Sequence, residues 1–196
     1  MTTFQSTFAE QLQAVLPADT KRPVQVWAYD ESRFGLHTIR RRRITACGTK
    51  PVCRMQHRFD NFWLYGAIAP KDGDAFFVGI PRMHADYMQI FLDKFAQAHP
   101  ATLNVLLLDN SRCHTATKLR IPTNIVLLFQ PPYCPEVNPA ERVWQDLKDA
   151  LAWQCFASLE ELQAEVVRLV TDYTAPTLQS LTAYPYIIHA INAVCP

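Results

Sequence analysis

The chain has 196 residues, 49% of them hydrophobic and 19% charged, which is the composition of one folded domain large enough for a full core. No apolar run approaches the roughly 20 residues of a membrane helix, and the start carries neither the basic nor the apolar segment of a secretory leader. A cytoplasmic protein with no membrane partner is therefore expected. The six cysteines form no C-x-x-C pair, so their spacing gives no support for a zinc site and reduced thiols are expected.

The net charge is only +1, yet eight basic residues and no acid lie between Arg33 and Arg58. The remainder of the chain is net acidic. Such a run is either a solvated loop or a phosphate-binding patch. Arg40, Arg41, Arg42, Arg43, Lys50 and Arg54 are its candidate phosphate-contacting side chains.

In chain order, Phe4, Phe8, Leu12 and Leu16 recur at helical spacing, so a helix over 3–16 is expected before the break from Pro17 to Pro23. It reads as an N-terminal helix or tail of about 20 residues. Residues 24–30 form a first strand ending in Asp30, and 36–45 a second that carries the arginines. Residues 61–69, apolar on both faces, form a central strand. A turn at 71–74 leads to a strand over 75–80. Helical periodicity follows over 84–99. Two continuous apolar runs, 104–109 and 125–129, read as buried parallel strands, with a short helix at 115–119 between them.

Pro131, Pro132 and Pro135 make the next stretch neither helix nor central strand. Asn138 is the expected N-cap and Pro139 the first helical residue. Ala140, Val143, Trp144, Leu147 and Leu151 then form one apolar face, with Glu141 and Lys148 on another. Ser158 and Glu161 are a capping box for a helix reaching about Tyr173, and a last helix covers 186–194. The pattern is α/β: a mixed β-sheet flanked by α-helices.

Three carboxylates need explaining. Asp30 and Asp109 each end a strand, where the acid is either a turn-former or a functional group. Glu141 lies three residues after Asn138 and either closes a capping box or faces a site. Converging without cations, the three would repel one another and raise their own pKa values. Oxygen-only ligands of this kind are the magnesium pattern. Two such ions about 4 Å apart clamp the attacking and leaving oxygens of a phosphoryl displacement.

Asp30 with Glu31, Leu108-Asp109-Asn110 with His114, and Pro131-Pro-Tyr-Cys-Pro-Glu-Val-Asn-Pro-Ala-Glu141-Arg-Val-Trp144 resemble the catalytic domain of the IS630/Tc1-mariner superfamily of DDE transposases. The resemblance covers about residues 24–172. It implies an RNase H-like fold, with 21–175 as the catalytic domain and 176–196 as a C-terminal helical extension. It implies Asp30, Asp109 and Glu141 as catalytic and metal-binding residues for Mg²⁺ or Mn²⁺, in two ions. The implied chemistry is hydrolytic nicking at element ends and attack of the freed 3′-hydroxyl on target DNA. Double-stranded DNA is the implied partner, the chain acting as a homodimer at the nucleoid.

His114 either contacts phosphate or braces the Asp109 loop. Asn138 is expected to cap, and Lys148 either reaches DNA or is solvated. Before Asp30 there is room for one helix, so the helix-turn-helix region of full-length family members must come from elsewhere. The interval between Asp109 and Glu141 is slightly shorter than the family's. An RNase H-like nuclease, or a decayed DNA-binding module without activity, are the alternatives.

Overall fold

The computed structural model describes residues 3–18, 21–42, 44–132 and 134–195. Five strands form one mixed sheet: β1 (Val24–Gly35), β2 (Asn61–Ile68), β3 (Ala75–Ile80), β4 (Leu103–Leu108) and β5 (Ile125–Phe129). Their spatial order is β3-β2-β1-β4-β5. β1, β2 and β3 are antiparallel neighbours, and β4 and β5 run parallel to β1. All six residues of β4 are buried, as the continuous apolar run requires of a strand covered on both faces.

One face is covered by α2 (Ala85–Ala98), whose Met88, Phe91 and Phe95 pack on Trp27, Tyr29, Leu106 and Leu108. The opposite face is covered by α1 (Thr3–Val15), α3 (Ala140–Ala150), α4 (Leu159–Thr171), α5 (Ala175–Thr182) and α6 (Pro185–Val194). Phe8 and Leu12 of α1 are fully buried with Ile187 and Ile191 of α6, over Val105, Leu107 and Leu128 of the sheet. α1 is therefore part of the core that supports the carboxyl ends of β4 and β5.

Several expectations need correction. β1 does not stop after Asp30 but continues to Gly35, pairing antiparallel from Ala28↔Ile68 to Gly35↔Asn61. Ser32 and Phe34 are buried on alternate positions and carry the strand on. No strand forms over 36–45 among the described residues. The segment 36–60 is tied at its base by Leu36 N–H to the Asp60 carbonyl (3.0 Å) and Thr38 N–H to the Gln56 carbonyl (3.3 Å). Consecutive arginines place like charges on both sides of a would-be strand, leaving no apolar side to bury.

The short helix expected at 115–119 is a bend at Thr115 and a turn over 117–118. Five residues with two β-branched threonines are too few to offset helix nucleation. Helix α3 starts one residue later than expected, with Pro139 as the boundary residue. Asn138 still serves it, its Oδ1 accepting from Ala140 N–H at 3.1 Å. Within the helical extension expected over 176–196, helix α5, capped by Thr174, had not been given bounds of its own; its N-terminal Ala175-Pro176-Thr177 gives little apolar periodicity.

α1 packs as core, so Phe8→Ala is expected to cost about 3–5 kcal/mol. Urea denaturation followed by far-UV circular dichroism measures this; a loss below about 0.5 kcal/mol, typical of surface substitutions, would mean that α1 is a loosely attached tail.

Candidate active site

The register of the sheet positions the first two carboxylates. β1 and β4 pair in parallel up to Ala28↔Leu107. Two residues further, on the same face, stand Asp30 and Asp109, where β1 parts from β4 to continue along β2 alone. Glu141 arrives from the opposite side on the first turn of α3. The structure thus brings Asp30, Asp109 and Glu141 around one cleft of about 470 Å³, with Asn110, Gln130 and Asn138 among its other lining residues.

Asn138 fixes how α3 meets the sheet. Its Nδ2 donates to the Tyr29 carbonyl at 2.8 Å, while its Oδ1 holds the start of the helix. The side chain is 2% exposed, so these are buried bonds joining helix and strand. Among the described residues the Glu141 carboxylate makes no capping bond back to Asn138; it is exposed at the cleft.

Asp30 is held by Trp144, whose indole N–H donates to Oδ2 at 2.9 Å. The sequence reading took Trp144 for core alone; it is both, being 1% exposed and bonded to the carboxylate. The ring crosses β2 at Gly66, the residue paired with Asp30. A Cβ on Gly66 would stand 2.6 Å from Trp144 Cη2 and 2.8 Å from Phe77 Cε1. Glycine there is a steric requirement for the tryptophan to reach Asp30.

The charges are unequal. Burial pushes Asp30 up to about 8, and Glu31 and Glu141 add to the shift; the Glu31 N–H and Trp144 lower it only partly. Asp109 goes the other way. His114 Nδ1 donates to its Oδ1 at 2.7 Å and Ser111 N–H donates at 3.0 Å, and together they hold it below the usual range. His114 is buried and both of its nitrogens are engaged, Nε2 lying 2.7 Å from Glu31 Oε1. Burial opposes its charged form, but the bonds to Asp109, Cys113 and Glu31 prevail and raise it to about 12. Glu31 also accepts from the Tyr29 hydroxyl at 2.8 Å. Its packing role was not foreseen, although it adjoins Asp30.

The donor set fits a hard divalent cation. Asp30 is buried beside two further acids and has one side-chain N–H donor, so its ionised form lacks compensating charge. Glu31, Cys113 and His114 also bring ligand atoms within 4.8 Å of one another. There the Glu31–His114 hydrogen bond closes the space, and the imidazole's second nitrogen is committed to Asp109. That cluster is a structural brace.

The cleft continues. A hollow of about 550 Å³ shares Asn138 and Glu141 with it and adds Arg41, Arg142 and Lys148. A third hollow shares Arg41 and Lys148 and adds Arg33 and Arg58. Lys148 is half-buried, 5.9 Å from the centre of the Phe34 ring. Burial lowers its pKa against the pull of Glu141 and Asp30. Of the arginine run, Arg41 reaches this channel and pairs with Asp149. Arg40, Arg42, Lys50 and Arg54 are exposed along 36–60 and do not line it, and Arg43 lies outside the described residues.

The sequence matches the family of the DDE superfamily endonuclease over residues 25–163. A curated relative, "Uncharacterized protein y4pE/y4sA" of Sinorhizobium fredii (strain NBRC 101917 / NGR234), is 35% identical over 88 residues, covering 44% of this chain and 65% of that protein. The fold is similar to that of the Mos1 Strand Transfer Complex, with a TM-score of 0.69 and 14% identity over 98% of this chain and 59% of that one. It is also similar to the Mos1 transposase paired-end complex with left transposon end, with a TM-score of 0.67 and 15% identity over 97% of this chain and 61% of that one. The α/β class expected from the sequence is thus met by an RNase H-like sheet. The chain spans less than two thirds of the length of each of these proteins. No helix among the described residues is long and apolar enough to cross a membrane.

Two outcomes follow from this geometry. Gly66→Ala is expected to displace Trp144 and cost about 1–3 kcal/mol, read as a shift of tryptophan emission and of the urea midpoint. For Asp30, the folded state keeps its proton to about 8 while the unfolded chain releases it near 3.8. Without divalent cations, this group therefore costs stability progressively between those pH values. Asp30→Asn should match wild type at pH 3.5 and exceed it by up to about 5 kcal/mol at pH 9, a gap that saturating Mg²⁺ narrows. Equal stabilities at both pH values would rule out the raised pKa.

Proposed function

The chain belongs to the DDE superfamily of endonucleases, and on that premise we propose that it is the catalytic domain of an IS630/Tc1-mariner-type transposase, which nicks DNA at element ends and joins the freed 3′-hydroxyl to target DNA. One observation carries this reading. Three carboxylates from three separate elements line one cleft, and that cleft runs into a channel lined by Arg33, Arg41, Arg58, Arg142 and Lys148. Acid at one end and base along the other suit a polyanion whose backbone is cut at the acidic end.

Asp30, Asp109 and Glu141 would hold the divalent cations, two Mg²⁺ or Mn²⁺ ions. Bound there, these would activate the attacking oxygen and offset charge on the leaving one. The chain's own residues do the rest. His114, clasped by Glu31, braces the Asp109 carboxylate, and Trp144 does the same for Asp30. Asn138 sets the distance of Glu141 by tying α3 to β1. Lys148 and Arg41 receive the phosphates that flank the scissile bond, and Arg40, Arg42, Lys50 and Arg54 extend that contact along 36–60.

In this reading residues 21–175 are the catalytic unit, and the flanking helices complete its core. Recognition of the element's ends belongs to a helix-turn-helix region outside these residues. The working assembly is a homodimer on double-stranded DNA.

The test is Mg²⁺-dependent nicking and joining of labelled duplex DNA. Asp109→Ala is expected to lower both by ~10³-fold or more, without loss of folding by circular dichroism. Nicking without joining would identify a plain nuclease. DNA binding with neither step would identify a module that binds without cutting. Equal activity in the variant would remove Asp109 from the chemistry.

A further inference from the structure

Asp30 and Asp109 belong to a longer row. Ala28 of β1 pairs with Leu107 of β4, and Leu107 pairs with Leu128 of β5. Side chains alternate faces along a strand, so two residues further on that same face stand Asp30, Asp109 and Gln130. The ladder reaches that far on the β5 side, because Gln130 N–H donates to the Leu108 carbonyl at 2.9 Å. Gln130 is the third member of the row and lines the same cleft.

Its side chain is unusually placed. Gln130 is 5% exposed, and its Oε1 is buried with no hydrogen-bond donor. A buried amide oxygen without a donor has given up water for nothing, and few such atoms persist in folded proteins. The amide donors of the cleft are committed elsewhere, Asn110 Nδ2 to the Gln130 carbonyl and Asn138 Nδ2 to the Tyr29 carbonyl, and Pro131 and Pro132 lack an N–H. One rung below, Leu107 and Leu128 fill the equivalent positions with apolar groups. An amide at this point is accounted for by a donor that arrives with the substrate. A phosphodiester brings only acceptors. The donors at the reacting centre are the O–H groups of the attacking water and of a DNA 3′-terminus.

We infer that Gln130 is a catalytic residue whose Oε1 accepts a hydrogen bond from the attacking O–H group, the 3′-hydroxyl in the joining step and water in the nicking step. The amide takes no proton; it turns a lone pair of the attacking oxygen toward phosphorus. This rests on the function proposed above.

The test uses the full chain with Ca²⁺ in place of Mg²⁺, and two duplexes that differ only in a 3′-hydroxyl or a 3′-deoxy terminus. Wild type is expected to bind the hydroxyl-ended duplex about 2–10-fold more tightly, with a shift of the ¹⁵N side-chain amide resonance of Gln130 that the deoxy-ended duplex does not produce. Gln130→Leu should bind both duplexes alike, melt no lower than wild type, and join ends at least tenfold more slowly, with KM for the hydroxyl-ended duplex raised by no more than the about 2–10-fold lost in binding. A structural amide would instead lower the melting temperature on replacement and leave end discrimination intact. Wild type that binds both duplexes equally, with the Gln130 resonance unmoved, overturns this inference and leaves the proposed function standing. Wild type that neither binds nor cuts DNA overturns both.

Discussion

The indole N–H of Trp144 on the Asp30 carboxylate is the contact around which this molecule is arranged. It joins the helix that carries Glu141 to the strand that carries Asp30, and it does so across the one residue of β2 that has no side chain. The helix packs on the sheet with Val143, Trp144 and Leu147 buried, so hydrophobic burial supplies the force and the indole supplies the direction. Asn138 repeats the logic one turn earlier with two bonds of its own. Packing brings the helix close; these polar contacts decide at which height along β1 it stops.

That arrangement keeps acids where an apolar core would be more stable. Asp30 is pushed up to about 8 by its burial and its acidic neighbours. Asp109 is drawn the other way by a histidine whose charged form is favoured by its bonds to Asp109, Cys113 and Glu31. The protein therefore buries one acid, Asp30, with a single side-chain donor, and clasps a charged histidine between Glu31 and Asp109. Sites of this kind are tolerated because function needs them, with the surrounding core offsetting the cost.

Much of this was legible in the sequence, for physical reasons. Strands β3 and β5 appeared with their observed limits, because short apolar runs between turn residues have few alternatives. The proline-clamped approach and the helix after it were readable because Pro and Asn restrict the backbone locally. What was missed depends on contacts between distant residues. Trp144 sits on an apolar helical face, so its spacing gives core, and its carboxylate partner lies 114 residues away. The continuation of β1 past Asp30 depends on β2, which pairs with Glu31 through Gly35 when β4 no longer can. The arginine segment looked like a strand because alternation of Leu36 and Thr38 starts one, and only like-charge crowding stops it. Gln130 had a signal that went unread: it stands two residues beyond Leu128, on the same face of a strand read as buried.

Asp30 and Asp109 ride on neighbouring strands, whereas Glu141 rides on a helix, and this divides the site by origin of its dimensions. One rung below the two aspartates, at Ala28 and Leu107, the strand separation is set by peptide hydrogen bonding at roughly 4.8 Å, and His114 then turns the Asp109 carboxylate. The height of Glu141 is set by volumes, those of Trp144, Phe77 and the hollow over Gly66. Mutational drift in the core therefore alters the height of Glu141 more readily than the spacing of the paired strands below the other two acids. Lineages built on this frame would vary in how tightly the third acid closes on the first two, while the paired strands beneath keep their spacing.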